Sequence, residues 1–156
     1  MESKKSNISN LGEVTLNYKY HNPSIKDRPL ITNAAEAVAV IKLVIDMQRI
    51  GLQEQFIVIY LNQANKVIGT MNVFSGSINS TVIDIKLILA SGILLMSKSV
   101  IVAHNHPSGN LKPSKEDLAL TKRLSNALQY MEMKLVDHFI ITPDDDYLSF
   151  ANEGLL

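Results

Sequence analysis

The sequence has no cysteine, which excludes disulfides and thiolate metal sites together. Any metal this chain holds must be carried by His, Asp or Glu, and a reducing cytoplasm is the simplest home for it. An excess of charge is lacking too, with 15 Lys and Arg against 15 Asp and Glu. A zero balance gives no support to DNA binding or to a membrane-surface role, although a local basic patch is compatible with it. No apolar run is long enough to span a bilayer. The longest, Ile85 to Met96, is broken by Lys86, Ser91 and Gly92 and falls short of the roughly 20 residues a spanning helix needs. The opening MESKKSNISN is polar and has no apolar core of a secretory signal. Internal repeats and low-complexity segments are absent as well. These absences leave a soluble, intracellular globular chain. Its 156 residues suit one domain, and 46% hydrophobic with 19% charged residues is a globular composition.

Residues 1–12 read as a disordered lead. Val14, Leu16, Tyr18 and Tyr20 then alternate with polar residues, the period of a strand with one buried face. This strand is expected to add to a sheet edge, in its own subunit or across a homodimer. Residues 21–31 carry two prolines and read as a loop. Asn33 and Glu36 resemble a capping box, and Val38, Ile41, Val44 and Ile45 follow at helical spacing, so 34–49 is expected to be a helix ended by Gly51. Phe56–Leu61 and Lys66–Phe74 form a hairpin across Asn62–Asn65. Asp84 caps a nearly all-apolar helix to about Met96, expected to be buried. Ser99–Ala103 has the unbroken β-branched form of a central strand. Residues 104–113 are a loop, Ser114 opens a third helix to about Met131, and Leu135–Thr142 with Tyr147–Phe150 form a last hairpin. The order β-α-β-β-α-β-α-β-β implies an α/β or α+β fold, a mixed central sheet flanked by helices.

The chemistry lies in His104-Asn105-His106-Pro107-Ser108-Gly109 and Pro113-Ser114-Lys115-Glu116-Asp117. The two histidines leave a strand end two residues apart, so alternation puts both imidazoles on one face. Asp117 sits on the first turn of the next helix. Two imidazoles and one carboxylate are a sufficient protein set for a catalytic zinc. Ser114 and Asp117 also suit a plain helix start, as cap and first-turn acid, and the two readings are compatible.

The spacing His-x-His, seven residues, Ser, two residues, Asp resembles the JAMM (JAB/MPN-type) metalloprotease motif, and it is complete here. Asn105 departs from the Ser or Thr usual in the eukaryotic deubiquitinases. The longer string HNHPSGNLKPSKEDLALTKRL is similar to the RadC branch of that superfamily, as are FSGSINS, VDHFII and YLSFANEGLL. The resemblance covers roughly residues 33–156. It implies a JAB/MPN (cytidine-deaminase-like) domain over 31–156, with residues 1–30 as an extension holding one strand. It further implies a Zn²⁺-dependent metallopeptidase or isopeptidase acting on a peptide or protein conjugate, with His104, His106 and Asp117 as ligands. Glu54 becomes the general base by resemblance alone, and the Ser114 hydroxyl would stabilise an oxyanion with the metal. The RadC name also carries an association with DNA repair. Full-length members have an N-terminal helix-hairpin-helix region, whereas the residues before the first helix here read as a strand and a loop. A non-catalytic interaction or repair-accessory module is the alternative, and the intact ligand set speaks against it.

Other residues are discounted. Asp137-His138 lies on a strand, where a structurally satisfied histidine is favoured over a supporting partner of the metal. His21 reads as a solvated loop residue, and Asp144-Asp145-Asp146 as a hairpin turn without calcium-loop spacing. Lys122 and Arg123 read as a solvated helix face. The letters HNH coincide with a nuclease motif whose residues lie far apart in sequence.

Overall fold

Two strands rich in β-branched residues form the middle of the sheet. β1 (Gln55–Leu61) and β3 (Ser99–Asn105) are buried at every position, as strands covered on both faces must be. The structure, a computed structural model, describes residues 17–18, 24–74 and 83–156. Around the central pair stand β2 (Val67–Phe74), β4 (Lys134–Ile141) and β5 (Tyr147–Ser149), in the order β2-β1-β3-β4-β5. Only the β3–β4 pair is parallel, so the sheet is mixed, as expected. The β1–β2 hairpin closes through Asn62, whose Oδ1 accepts from the amides of Ala64 at 2.9 Å and Lys66 at 3.0 Å.

Strand alternation divides the core in two. Ile57, Ile59, Leu61, Ile101 and Ala103 pack with Val38 and Ile41 of α1 (Ala34–Val44). Phe56, Val58, Tyr60, Val100 and Val102 pack with Ile88 of α2 (Ile85–Leu94) and with Leu124 and Leu128 of α3 (Lys115–Tyr130). Truncating one of the fully buried Ile or Leu side chains among them to Ala costs about 2–5 kcal/mol. Even-numbered positions of β3 therefore face α3, and His104 inherits that direction.

Two expectations meet a different outcome, and a third is not tested. The first helix ends at Val44, and Gly51 has no part in ending it. Ile45 turns to the extended region at ψ 140° and is buried. The Gln55 side chain then takes both backbone groups of Asp46, accepting from its amide at 2.8 Å and donating to its carbonyl at 2.9 Å. The second helix is buried on one stripe only. Ile88 and Gly92 face the core, while Leu87 and Ile93 are about half exposed, because α2 lies in an outer layer and only one side meets the sheet. The strand expected at 13–20 falls largely outside the described residues. Tyr18 is described, and its hydroxyl donates to the Ile68 carbonyl on edge strand β2 at 2.7 Å.

Both α2 and α3 end on a residue in the left-handed region, Met96 at φ 50° and Glu132 at φ 55°. Each closes with paired bonds: Ser97 to Gly92 and Met96 to Ile93, Met133 to Leu128 and Glu132 to Gln129. This is the Schellman arrangement, made here without glycine. Among the described residues, no helix is long and apolar enough to cross a membrane.

Candidate metal centre

β3 leaves the sheet as His104-Asn105-His106, and α3 returns its first turn over the same end. Gly109 makes the return possible: its φ of 78° is a conformation that favours glycine, and its amide donates to the His106 carbonyl at 3.0 Å. Ser114 then caps α3 in a full capping box. Its Oγ accepts from the Asp117 amide at 3.0 Å, and its own amide donates to Asp117 Oδ2 at 2.7 Å. The cap is thus the device that orients Asp117.

The three expected ligands converge. Asp117 Oδ1 lies 3.2 Å from His104 Nε2, and Oδ2 lies 3.5 Å from His106 Nε2. The two Nε2 atoms are 2.9 Å apart. Among the described residues this is the one His/Asp/Glu group whose donor atoms gather in this way, all within 4.8 Å. A tetrahedral cation with bonds of about 2.0–2.2 Å holds neighbouring donor atoms roughly 3.3 Å apart. With one donor atom from each residue, all three lie within 4.8 Å of one another, close enough to share a small divalent ion.

Hydrogen-bond directions fix which nitrogens face the centre. His106 Nδ1 lies 2.5 Å from the Asn110 carbonyl, which can only accept, so Nδ1 carries a proton. His104 Nδ1 lies 2.8 Å from His138 Nε2, and His138 Nδ1 lies 2.6 Å from Thr121 Oγ1. The Thr121 hydroxyl donates its proton to the Asp117 carbonyl at 2.7 Å, so towards His138 it must accept. A neutral His138 with Nδ1–H offers a bare Nε2 to His104, whose Nδ1–H donates, leaving His104 Nε2 turned bare to the centre. Burial pushes the His138 imidazole well below its ordinary pKa, and the nearby His104 adds to this, which keeps it in the neutral form the relay requires.

The electrostatics are those of a site built for a cation. Burial pushes the Asp117 carboxyl up, but the His104 and His106 imidazoles beside it and the Ser114 cap outweigh it and hold the group far below the usual carboxylate range. The hydrogen bond to Asp117 pushes His106 up, against desolvation, with a smaller contribution from the charge of Glu54.

Glu54 is exposed immediately before β1. Phe56 with His104 is the last pair between β1 and β3, and Glu54, two residues before Phe56, is near enough for its charge to act on His106. Ser114 Oγ accepts in the cap, which leaves its proton to donate. Asp137 faces elsewhere: its carboxylate takes Ser149 Oγ at 2.5 Å, the His138 amide at 2.7 Å and the Ala151 amide at 3.0 Å. His138, read as a structurally satisfied strand histidine, is satisfied through His104 itself and so belongs to the centre. Asp145 pairs with Lys42 at 2.6 Å in the expected hairpin turn, Lys122 and Arg123 are exposed on α3, and His21 lies outside the described residues.

Sequence reading missed Thr121 and Asn105. The signal for Thr121 was its i+4 spacing from Asp117 on one helix face. For Asn105 it was a polar residue alternating to the opposite face of a strand buried on both sides.

Residues 23–155 match the family model described as RadC-like JAB domain. A UPF0758 protein of Porphyromonas gingivalis is 41% identical over 104 residues, 67% of this chain and 46% of that protein. One of Clostridium acetobutylicum is 38% identical over 156 residues, 99% of this chain and 65% of its own length. One of Geobacillus thermodenitrificans is 35% identical over 144 residues, 92% and 62% respectively. The chain spans roughly half to two thirds of the curated relatives it matches.

Proposed function

Since the chain belongs to the RadC-like JAB domain family, we propose that it is a zinc-dependent hydrolase of peptide or isopeptide bonds. The observation that carries the reading is the convergence of His104 Nε2, His106 Nε2 and the Asp117 carboxylate, with the charge of Glu54 reaching His106. Two imidazoles favour Zn²⁺ over Mg²⁺, and no cysteine competes for the ion. The same lack supports a reducing cytoplasmic setting.

When bound, the metal would supply an activated water at neutral pH and a Lewis acid for the scissile carbonyl. The chain's own residues have separable tasks. His104, His106 and Asp117 would hold the ion, with His138 and Thr121 orienting His104. Glu54, exposed just before β1, would accept a proton and return it to the leaving amine. The Ser114 hydroxyl, with its oxygen occupied in the cap, would donate to the carbonyl oxygen as charge develops there.

The test is elemental analysis joined to a screen of peptide and isopeptide conjugates. One zinc per chain is expected, lost in His104→Ala and in His106→Ala, because two remaining ligands hold zinc poorly. Glu54→Gln should retain the metal and lose turnover. Full zinc occupancy in the double histidine variant would sink the site, and a chain that takes up no metal would support a non-catalytic module instead.

A further inference from the structure

Asn105 stands between the two candidate ligands, and alternation turns its side chain away from them. It is fully buried. Its polar atoms are all spent on the backbone of one short segment. Oδ1 accepts from the Gln55 amide at 2.6 Å, and Nδ2 donates to the carbonyls of Ile50 at 2.7 Å and Gln53 at 2.9 Å. Glu54 is the residue between Gln53 and Gln55. We propose that Asn105 is the positioning residue for Glu54, clamping the main chain on both sides so that the carboxylate is held over the metal centre. The inference rests on the reading of Glu54 as the base; Asn105 itself would touch neither substrate nor metal.

The chemistry of the amide fits the task. Phe56 with His104 is the last pair of the β1–β3 ladder, and the Asn105 side chain adds one more rung from side chain to main chain. That rung needs one acceptor for an N–H and two donor hydrogens for two carbonyls, the inventory of a carboxamide. A serine or threonine has a single proton and leaves at least one of these buried carbonyls without its donor. A second buried amide completes the clamp. Gln55 holds both backbone groups of Asp46 and accepts from Asn72 Nδ2 at 3.3 Å. Residues 46–55 are thereby tied at both ends while the Glu54 side chain stays exposed. A proton-transferring group that must meet substrate and still keep its place needs this combination of a fixed main chain and an open side chain.

The test uses the full chain loaded with Co²⁺, whose paramagnetism reports the position of each amide relative to the metal. Asn105→Ser keeps all three ligands, so close to one Co²⁺ per chain should still be taken up. The Gln55 amide should exchange with solvent roughly tenfold to a hundredfold faster. The pseudocontact shift of Glu54 should move, while those of Leu118 and Thr121 on α3 stay. Asn105→Asp keeps the acceptor and loses both donors, so it should protect Gln55 and release Ile50 and Gln53. In the wild-type protein, the Asn105 side-chain amide should itself exchange slowly, and rapid exchange there would overturn the clamp even where the variants do not fold. A variant that loses stability while Glu54 and Gln55 keep their wild-type shifts and protection would overturn the proposal. A wild-type chain that binds no Co²⁺ would instead overturn the metal reading, and amide exchange in the metal-free protein would then decide the clamp alone.

Discussion

His104 Nδ1 lies 2.8 Å from His138 Nε2, so the ring of the first candidate ligand is held from behind by a second histidine on the neighbouring strand. The register makes this contact available: Val102 pairs with His138 and His104 with Ile140 across the parallel β3–β4 pair, which puts the two rings on the same face. Thr121, one helical turn beyond Asp117, closes the chain by bonding His138 on one side and the Asp117 carbonyl on the other. Ligand, supporting histidine and helix are thereby one connected unit.

The first prediction follows from that unit. In the metal-free protein, both His104 and His138 should carry the neutral proton on Nδ1, read directly from nitrogen-15 shifts of the imidazoles. Thr121→Val removes the acceptor that selects this tautomer of His138. Zinc affinity should then fall about tenfold to a hundredfold, the usual cost of losing an outer partner of a ligand. Finding the proton mainly on His104 Nε2 would contradict the relay.

A second prediction concerns pH. The Asp117 hydrogen bond raises His106 above its ordinary value of 6.5. A raised group contributes stability that is fully present below its unfolded pKa and lost as pH rises through the folded one. Asp117 is depressed, so its share is present above the unfolded carboxylate value and lost only as pH falls through a far lower folded one. In the metal-free protein the pair should therefore contribute most between about pH 4 and 6.5. A bound ion must displace the proton from His106, so apparent zinc affinity should climb with pH, by up to about tenfold per unit, and level off above the raised pKa. Competition titrations from about pH 6 to 8, with proton release recorded, would check this. Flat affinity across that range would show that His106 holds no proton in the empty centre.

Much of this was legible in the sequence because the signals are local. The β-branched run of β3, the Asn62–Asn65 turn and the Ser114–Asp117 cap are each encoded within a few residues, and the cap is itself what places a ligand. The His-x-His spacing needs only strand alternation to bring two rings together. What stayed hidden depends on partners far away in the chain. The chain leaving α1 is held by Gln55, nine residues beyond Asp46, whose side chain satisfies the Asp46 backbone. The exposure of Leu87 and Ile93 depends on which layer α2 occupies, which hydrophobicity alone does not encode. Asn105 and His138 draw their meaning from contacts 50 and 34 residues distant.

A third prediction tests the helix ends. Glu132 holds a left-handed conformation at the close of α3, where a side chain is strained and glycine is not. Relief of that strain exceeds the entropy glycine adds to the unfolded chain, so Glu132→Gly should stabilise the protein by about 0.5–1 kcal/mol. Met96→Gly at the end of α2 should act in the same direction, since Met96 is 88% exposed and loses little packing. Denaturant midpoints that fall in both variants would show the two closures to differ from those described.

The last prediction separates two neighbours in sequence. Asp137 and His138 are adjacent on β4 and both buried, yet alternation sends their side chains to opposite faces and different work. Asp137 accepts from Ser149, Ala151 and the His138 amide, tying the residues after β5 to the sheet. Removing it leaves three donors without their acceptor, so Asp137→Ala should destabilise the protein by about 2–4 kcal/mol. Zinc affinity of the fraction that remains folded should stay near wild type, because no bond of Asp137 reaches His104, His106 or Asp117. His138→Ala should do the reverse in proportion, lowering zinc affinity well beyond what its loss of stability explains. Isothermal titration with zinc at a temperature where both variants are folded, set beside their denaturant midpoints, gives the comparison. A loss of zinc affinity in Asp137→Ala equal to that in His138→Ala would mean that the two faces of β4 are coupled, and that the relay through His138 and Thr121 is too narrow an account of how the centre is held.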